Sequence, residues 1–375
     1  MRNRELSDLT SRGKERPWKK HKLLNKKVIE ILRILEDFDK AYKVAGCGSF
    51  LEFGVCPDGH GKWLKGAHFC KDRVCSMCIW RKSLFMFAQF LLVAHKLLEL
   101  YPKTIFLFQT LTLRNCVPED LSNTLTHLNK SFRRYLSYKR VKAAFKGVFR
   151  TLETTYNPLS DTFHPHIHSI VAVNKHYFAS RDYITHEELQ QLWRKALQVD
   201  YDPDCDIRRV KPKKKNVSTV AEEIQLMDKA LMEDALAAGG AEVAKYSTKV
   251  GDIVNPKIKP DDSLEMVRAK IALRENPQKQ AEILDYLMKG ISGRRFISYT
   301  GIFREAYQAL KCKDVEDSDL INIPGEEPVC RCRICQSRLV QMHYLWNGEG
   351  YFEIPREDRE TSTYLNVSRK RTKAV

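Results

Sequence analysis

Phe163-His164-Pro165-His166-Ile167-His168-Ser169-Ile170-Val171-Ala172-Val173 is the stretch from which the fold is read. Its β-branched run, preceded by the turn-forming Asn157-Pro158-Leu159-Ser160-Asp161, predicts a strand. Side chains alternate faces along a strand, so His164, His166 and His168 point one way and Pro165, Ile167 and Ser169 the other. Two imidazoles at i and i+2 can hold one metal ion from a rigid sheet. A row of polar side chains on a solvated face is the plainer reading, because an isolated His-x-His recurs by chance. The neighbouring residues decide between the two.

The preceding run Phe149-Arg150-Thr151-Leu152-Glu153-Thr154-Thr155-Tyr156 also reads as a strand, and the short connection makes the two an antiparallel hairpin. If Tyr156 pairs with Phe163, Glu153 stands opposite His166. Two imidazoles and a carboxylate leave coordination positions open for substrate and water, as a catalytic metal requires. A register slip of one residue would put Glu153 on the wrong face.

Length allows one large core or two to three smaller ones in 375 residues. Hydrophobic content of 43% and charged content of 30% are those of a globular protein, but the net charge of +17 points to an anionic partner, nucleic acid first. No run reaches the ~18 apolar residues of a membrane span, and the charged N-terminus has no apolar signal region, so a cytoplasmic protein without a membrane partner is expected. Most of the 11 cysteines are clustered, which in a reducing compartment suggests metal rather than disulfides.

Residues 1–22 read as a mobile basic arm, followed by a helix from Lys26 to Val44. Cys75-Ser76-Met77-Cys78 is a C-x2-C knuckle with Cys70 five residues earlier. Three thiolates so spaced suit structural Zn²⁺, with Cys47 the first choice for the fourth ligand, then Cys56, with His60 or His68 more distant. Lys71, Arg73, Arg81 and Lys82 around this group are expected to face DNA. The next helix, Ile79 to Tyr101, is assigned an apolar face of Leu84, Phe87, Leu91, Ala94 and Leu98. A strand over 104–113 follows, then a helix from Pro118 burying Leu121, Leu125, Leu128, Phe132 and Tyr135, and after the hairpin a helix capped at Thr185. Asp206–Val210 reads as a strand. Lys213 and Lys214 lie in an exposed basic loop.

Past Gly239-Gly240, a helix would place Glu242, Tyr246 and Lys249 at i, i+4 and i+7, in one stripe that an ordinary salt-bridged surface could also produce. The element order predicts an α+β fold: a mainly antiparallel, ferredoxin-like sheet with helices on one face, an N-terminal zinc-binding region and a C-terminal extension. The expected divisions are 1–45 (basic arm and helix), 46–102 (zinc region and long helix), 103–255 (catalytic domain) and 256–375. The last division holds Cys330-Arg331-Cys332-Arg333-Ile334-Cys335, either a second metal knuckle or loop thiols, and a basic tail.

Three motifs in this order resemble the rolling-circle replication initiators (Rep proteins) of small Gram-positive plasmids, within the HUH endonuclease superfamily. They are Thr110-Leu111-Thr112-Leu113-Arg114-Asn115, His164-Pro165-His166-Ile167-His168, and Glu242-Val243-Ala244-Lys245-Tyr246-Ser247-Thr248-Lys249. Arg294-Arg295-Phe296 and Tyr299-Thr300-Gly301-Ile302-Phe303 are similar to the family's C-terminal segment. The resemblance spans about residues 45–350. It implies Mg²⁺ or Mn²⁺ on His166 and His168, to which the hairpin register would add Glu153, with Tyr246 as nucleophile, Lys249 beside the phosphate, and Glu242 acting at termination. It also implies origin duplex and single-stranded DNA as ligands; Arg114, Lys213 and Lys214 are expected among the DNA contacts. Host helicase and DNA polymerase are the implied partners, and a homodimer is left open. A non-enzymatic zinc-containing DNA-binding regulator, or a relaxase or transposase with the same chemistry, are the alternatives.

Overall fold

The computed structural model describes residues 4–10, 13–210, 240, 243, 249–324 and 329–355. In chain order its helices and strands begin with α1 (Trp18–Ile34), α2 (Phe38–Gly46), β1 (Phe50–Val55), β2 (Lys62–Ala67), α3 (Ser76–Leu100) and β3 (Thr104–Thr112). There follow α4 (Leu121–Ser137), α5 (Lys139–Ala144), β4 (Gly147–Asn157), β5 (Thr162–Asn174), α6 (His186–Leu197) and β6 (Cys205–Arg209). The last are α7 (Val250–Val254), α8 (Leu264–Arg274), α9 (Pro277–Ile291), β7 (Ile297–Thr300), α10 (Gly301–Ala309), β8 (Val340–Trp346) and β9 (Tyr351–Glu353). The chain forms two compact units, one of residues Lys82–Asp317 and one joining Met1–Arg81 to Ser318–Val375.

The larger unit is built on a five-stranded antiparallel sheet of order β6-β3-β5-β4-β7. β3 and β4, joined through α4, run parallel with β5 between them. β5 and β6, joined through α6, run parallel with β3 between them. Two such split crossovers are the ferredoxin-like arrangement, extended here by β7. The β4–β5 register pairs Tyr156 with Phe163 and Glu153 with His166, as the turn chemistry predicts. Asn157 Oδ1 accepts from the Leu159 N–H at 2.9 Å, and Tyr156 OH donates to Asp161 Oδ1 at 2.6 Å, which fixes the turn.

α4 and α6 cover one face of this sheet. α4 buries Leu121, Leu125, Leu128, Phe132 and Tyr135, and Thr185 caps α6 by accepting from the Glu188 N–H at 3.1 Å. Tyr135 and Trp193 meet edge to face at 5.8 Å, while Gln109 Nε2 donates to Tyr135 OH at 2.9 Å. The helices are not confined to that face, however. On the other side Phe149 stacks on Phe90 of α3 at 4.8 Å, and Phe106 packs on Phe303 of α10 at 5.7 Å. The start of α10 lies so close to β4 that only glycine fits: Gly301 has φ +51, and an added Cβ would collide with the Lys146 carbonyl.

The face of α3 also differs from the expected one. Phe85, Met86, Phe90, Val93, Ala94 and Leu97 are buried, so of the expected face only Ala94 is shared. α3 is long and apolar enough, by length and composition, to cross a membrane. Its buried Gln89 nevertheless donates to the Lys313 carbonyl at 2.7 Å, a core-helix contact.

The smaller unit holds a four-stranded antiparallel sheet, β2-β1-β8-β9, that the sequence reading lacks altogether. β1 pairs with β8 from Phe50–Leu345 to Val55–Val340. Among the described residues of the expected basic arm, several are held against the smaller unit. Leu6 N–H donates to the Tyr351 carbonyl at 2.8 Å, and Trp18 Nε1 to the buried Asp8 carboxylate at 2.8 Å. α1 starts at Trp18 rather than Lys26, and the chain breaks at Glu36, with φ 58, before α2. Lys22 is buried, its ammonium bonded to Ala45 O, Cys47 O and Ser49 Oγ at 2.8–3.1 Å. Burial lowers its pKa.

Candidate active site and metal clusters

Beyond the Phe149 and Phe106 packing, the same sheet face carries Glu153 on β4 and His166 and His168 on β5. Glu153 Oε2 lies 3.5 Å from His166 Nε2 and 3.2 Å from His168 Nε2. His166 Nδ1 is 3.1 Å from the His164 carbonyl, which can only accept, so Nδ1 carries a proton and Nε2 is the nitrogen turned toward the carboxylate. His168 Nδ1 shares a 3.0 Å hydrogen bond with Thr110 Oγ1, its pair on β3. A lone pair facing a carboxylate is repulsive unless a cation or proton lies between them. The donor set of two imidazole nitrogens and one carboxylate oxygen therefore fits a divalent ion, with outer hydrogen bonds fixing both rings.

Lys249, just ahead of α7, ion-pairs with Glu153 Oε1. Burial pushes Glu153 up, but both imidazoles and the Lys249 ammonium outweigh it and hold the carboxyl well below the usual carboxylate range. Glu153 is thus ionised and available as a ligand. Asp252, missed in the sequence, is close enough to feel Glu153 and Lys249, and burial raises its pKa. Thr110 was legible only as part of a motif; its pairing opposite His168 gives it a role. Glu242 and Tyr246, and Lys213 and Lys214, lie outside the described residues.

In the smaller unit, Cys47, Cys70, Cys75 and Cys78 converge with all four sulfurs within 4.8 Å of one another. Cys47 and Cys78 sulfurs are 3.5 Å apart and Cys70 and Cys78 sulfurs 3.7 Å. A disulfide needs about 2.05 Å. Tetrahedral Zn–S bonds of about 2.3 Å put sulfurs about 3.8 Å apart. Lys71 N–H donates to Cys78 Sγ at 3.1 Å, Cys70 N–H to Cys47 Sγ at 3.4 Å and Asn25 Nδ2 to Cys75 Sγ at 3.2 Å, a shell suited to thiolates. Burial pushes Cys75 up, but hydrogen bonds from the other three thiols hold it well below its ordinary value. Cys56 and His60, weighed as fourth ligands, belong to a different group with Cys332 and Cys335.

The basic residues around this cluster divide. Lys71 is exposed and Arg73 half-buried; in the larger unit, Arg114 is exposed with its guanidinium 3.9 Å over the Tyr201 ring. Arg81 and Lys82 do not face DNA: they are 2% and 0% exposed. Arg81 Nε donates to the Leu320 carbonyl at 2.9 Å with its guanidinium against Trp18, Phe69 and Trp80, and Lys82 pairs with Glu316 at 2.5 Å. Their charges are spent inside the protein.

A family model described as "Replication protein" matches residues 61–352. A "Protein rep" from Bacillus amyloliquefaciens is 34% identical over 330 residues, 86% of this chain and 90% of that protein. One from Lactiplantibacillus plantarum is 31% identical over 349 residues, covering 92% and 98%. One from Streptococcus pneumoniae is 32% identical over 319 residues, covering 84% and 86%. No solved structure matches the chain.

Proposed function

The chain belongs to the plasmid replication-protein (Rep) family, and from that premise we propose that it initiates rolling-circle replication by nicking and rejoining one DNA strand at the double-strand origin. The observation that carries this reading is the convergence of Glu153, His166 and His168 on one sheet face, with Lys249 against the carboxylate. A replication protein that only bound DNA would have no use for two imidazoles fixed with their Nε2 atoms toward an ionised, buried glutamate.

Residues 103–255 are the proposed catalytic region. His166, His168 and Glu153 would hold Mg²⁺ or Mn²⁺, which would supply positive charge at the scissile phosphate. The Tyr246 phenol oxygen attacks phosphorus as its proton leaves; the P–O3′ bond breaks and the 3′ oxygen takes up a proton. A 5′-phosphotyrosine and a free 3′-OH result, the primer that host polymerase extends while host helicase unwinds the duplex. Lys249 neutralises charge at the phosphate. Glu242 accepts a proton at the terminating step. Single-stranded DNA is the proposed substrate, because a duplex hides its strand from a sheet-bound site. Nicking of supercoiled origin plasmid with and without Mn²⁺ tests the reading: metal-independent cleavage, or none in either condition, would count against it.

The Cys47–Cys70–Cys75–Cys78 group is the proposed structural zinc site. Cys78→Ser should lose this ion and lower the melting midpoint by on the order of 10 °C, since structural zinc contributes folding free energy directly. Metal content and thermal melts of full-length protein check it; an unchanged zinc content would end the assignment.

Lys71, Arg73, Arg114, Lys213 and Lys214 are the proposed DNA contacts. The charge of +17 leads us to expect duplex affinity to fall with salt, with a log–log slope of about −0.9 per phosphate contact. Titrations across salt concentrations measure it. A slope flatter than about −2 would mean that the positive charge serves another partner.

A further inference from the structure

We propose that Cys56, His60, Cys332 and Cys335 bind a second structural zinc ion, tying the β1–β2 turn to the turn that precedes β8. The site lies wholly within the smaller unit and is independent of the nicking chemistry.

The four ligand atoms lie within 4.8 Å of one another. Cys56 Sγ is 3.5 Å from Cys335 Sγ and 3.6 Å from His60 Nδ1, and Cys332 Sγ is 3.7 Å from the same nitrogen. These separations are too long for a disulfide and close to the edges of a tetrahedron around zinc, about 3.5–3.8 Å for its S and N bonds. Three sulfurs and an imidazole form a soft donor set that selects zinc over magnesium or calcium.

Both arms are shaped by tight turns. Cys56 N–H donates to the Gly61 carbonyl at 3.0 Å and Gly59 N–H to the Cys56 carbonyl at 3.1 Å, with Gly59 at φ +79, which folds His60 back toward Cys56. Cys332 N–H donates to the Ser337 carbonyl at 2.9 Å and Gln336 N–H to the Cys332 carbonyl at 3.0 Å. Ile334 N–H also donates to Cys332 Sγ at 3.4 Å, the kind of donor that steadies a thiolate. Ser337 Oγ donates to Asp58 Oδ2 at 2.9 Å and closes one arm on the other. The β1–β8 pairing of Val55 with Val340 delivers both arms to one end of the sheet.

The competing reading is a small apolar cluster, since Cys56 and Cys332 pack with Leu339, Trp63 and Val329. Apolar packing explains the buried sulfurs. It gives no reason for an exposed imidazole to place its Nδ1 against two of them.

The test is zinc content of the full-length protein, purified without chelators, by native mass spectrometry and elemental analysis. Wild type should carry two zinc ions, one for each cysteine group. Cys335→Ser should carry one. Cys330→Ser should keep both, because this exposed neighbour lies outside the group. His60→Cys should also keep both, and with cobalt in place of zinc its charge-transfer bands should strengthen as a fourth thiolate joins. One zinc in wild type that persists in Cys335→Ser, two in Cys335→Ser, or iron at this position would overturn the proposal. If Cys335→Ser does not fold, the wild-type count and the His60→Cys spectrum still decide.

Discussion

Tyr246→Phe is expected to form no covalent adduct with origin DNA and to leave supercoiled plasmid uncut. The phenol oxygen is the proposed attacking atom, and phenylalanine has none to offer. Glu242→Ala should behave differently. It should nick and form the adduct, but resolution should slow by about 10²–10⁴-fold, the usual worth of a positioned general base, so the phosphotyrosine species accumulates. Lys249→Ala should slow the first cleavage without changing its product. Denaturing gels and mass spectrometry of the trapped adduct read all three. An adduct on another tyrosine would overturn the assignment of the nucleophile; loss of the first nick in Glu242→Ala would overturn only the division of labour.

His166→Ala and His168→Ala should each reduce nicking by on the order of 10³-fold or more, because a bound ion supplies several kcal/mol of charge stabilisation at the phosphate. Duplex origin binding should change little, since the proposed DNA contacts lie elsewhere. Thr110→Val is the finer probe: losing the hydrogen bond that orients His168 should weaken metal affinity by about 10–100-fold and be partly rescued by excess Mn²⁺. Full activity of either alanine variant at limiting metal would remove the sheet site from the mechanism.

The hairpin was legible in the sequence because its information is local. Asn157–Asp161 sets the turn, the turn sets the register, and the register places Glu153 opposite His166. α4 was legible for a similar reason, its apolar residues falling on one stripe. α3 was not, because apolar residues run nearly all round it and periodicity gives no phase. Arg81 and Lys82 misled because a basic side chain beside a knuckle reads as surface; their aromatic, carbonyl and carboxylate partners come from distant parts of the chain. The same distance hid the smaller sheet, whose strands β1 and β8 lie at opposite ends of the sequence. It also left the 332–335 cysteines without visible partners.

The ligands sit within two paired strands, and this sets which changes the gene can tolerate. Codons added at the exposed tip around Leu159 and Ser160 would enlarge a loop and leave the pairs from Tyr156–Phe163 inward intact. One codon gained or lost between Glu153 and Tyr156, or between Phe163 and His166, would turn a ligand to the opposite side of the sheet. In-frame length variation at the tip should therefore be permitted while none is permitted inside the strands. Cuts and joins in shuffled or loop-grafted versions of this protein should fall between Leu159 and Ser160, leaving Asn157 and Asp161 to hold the turn.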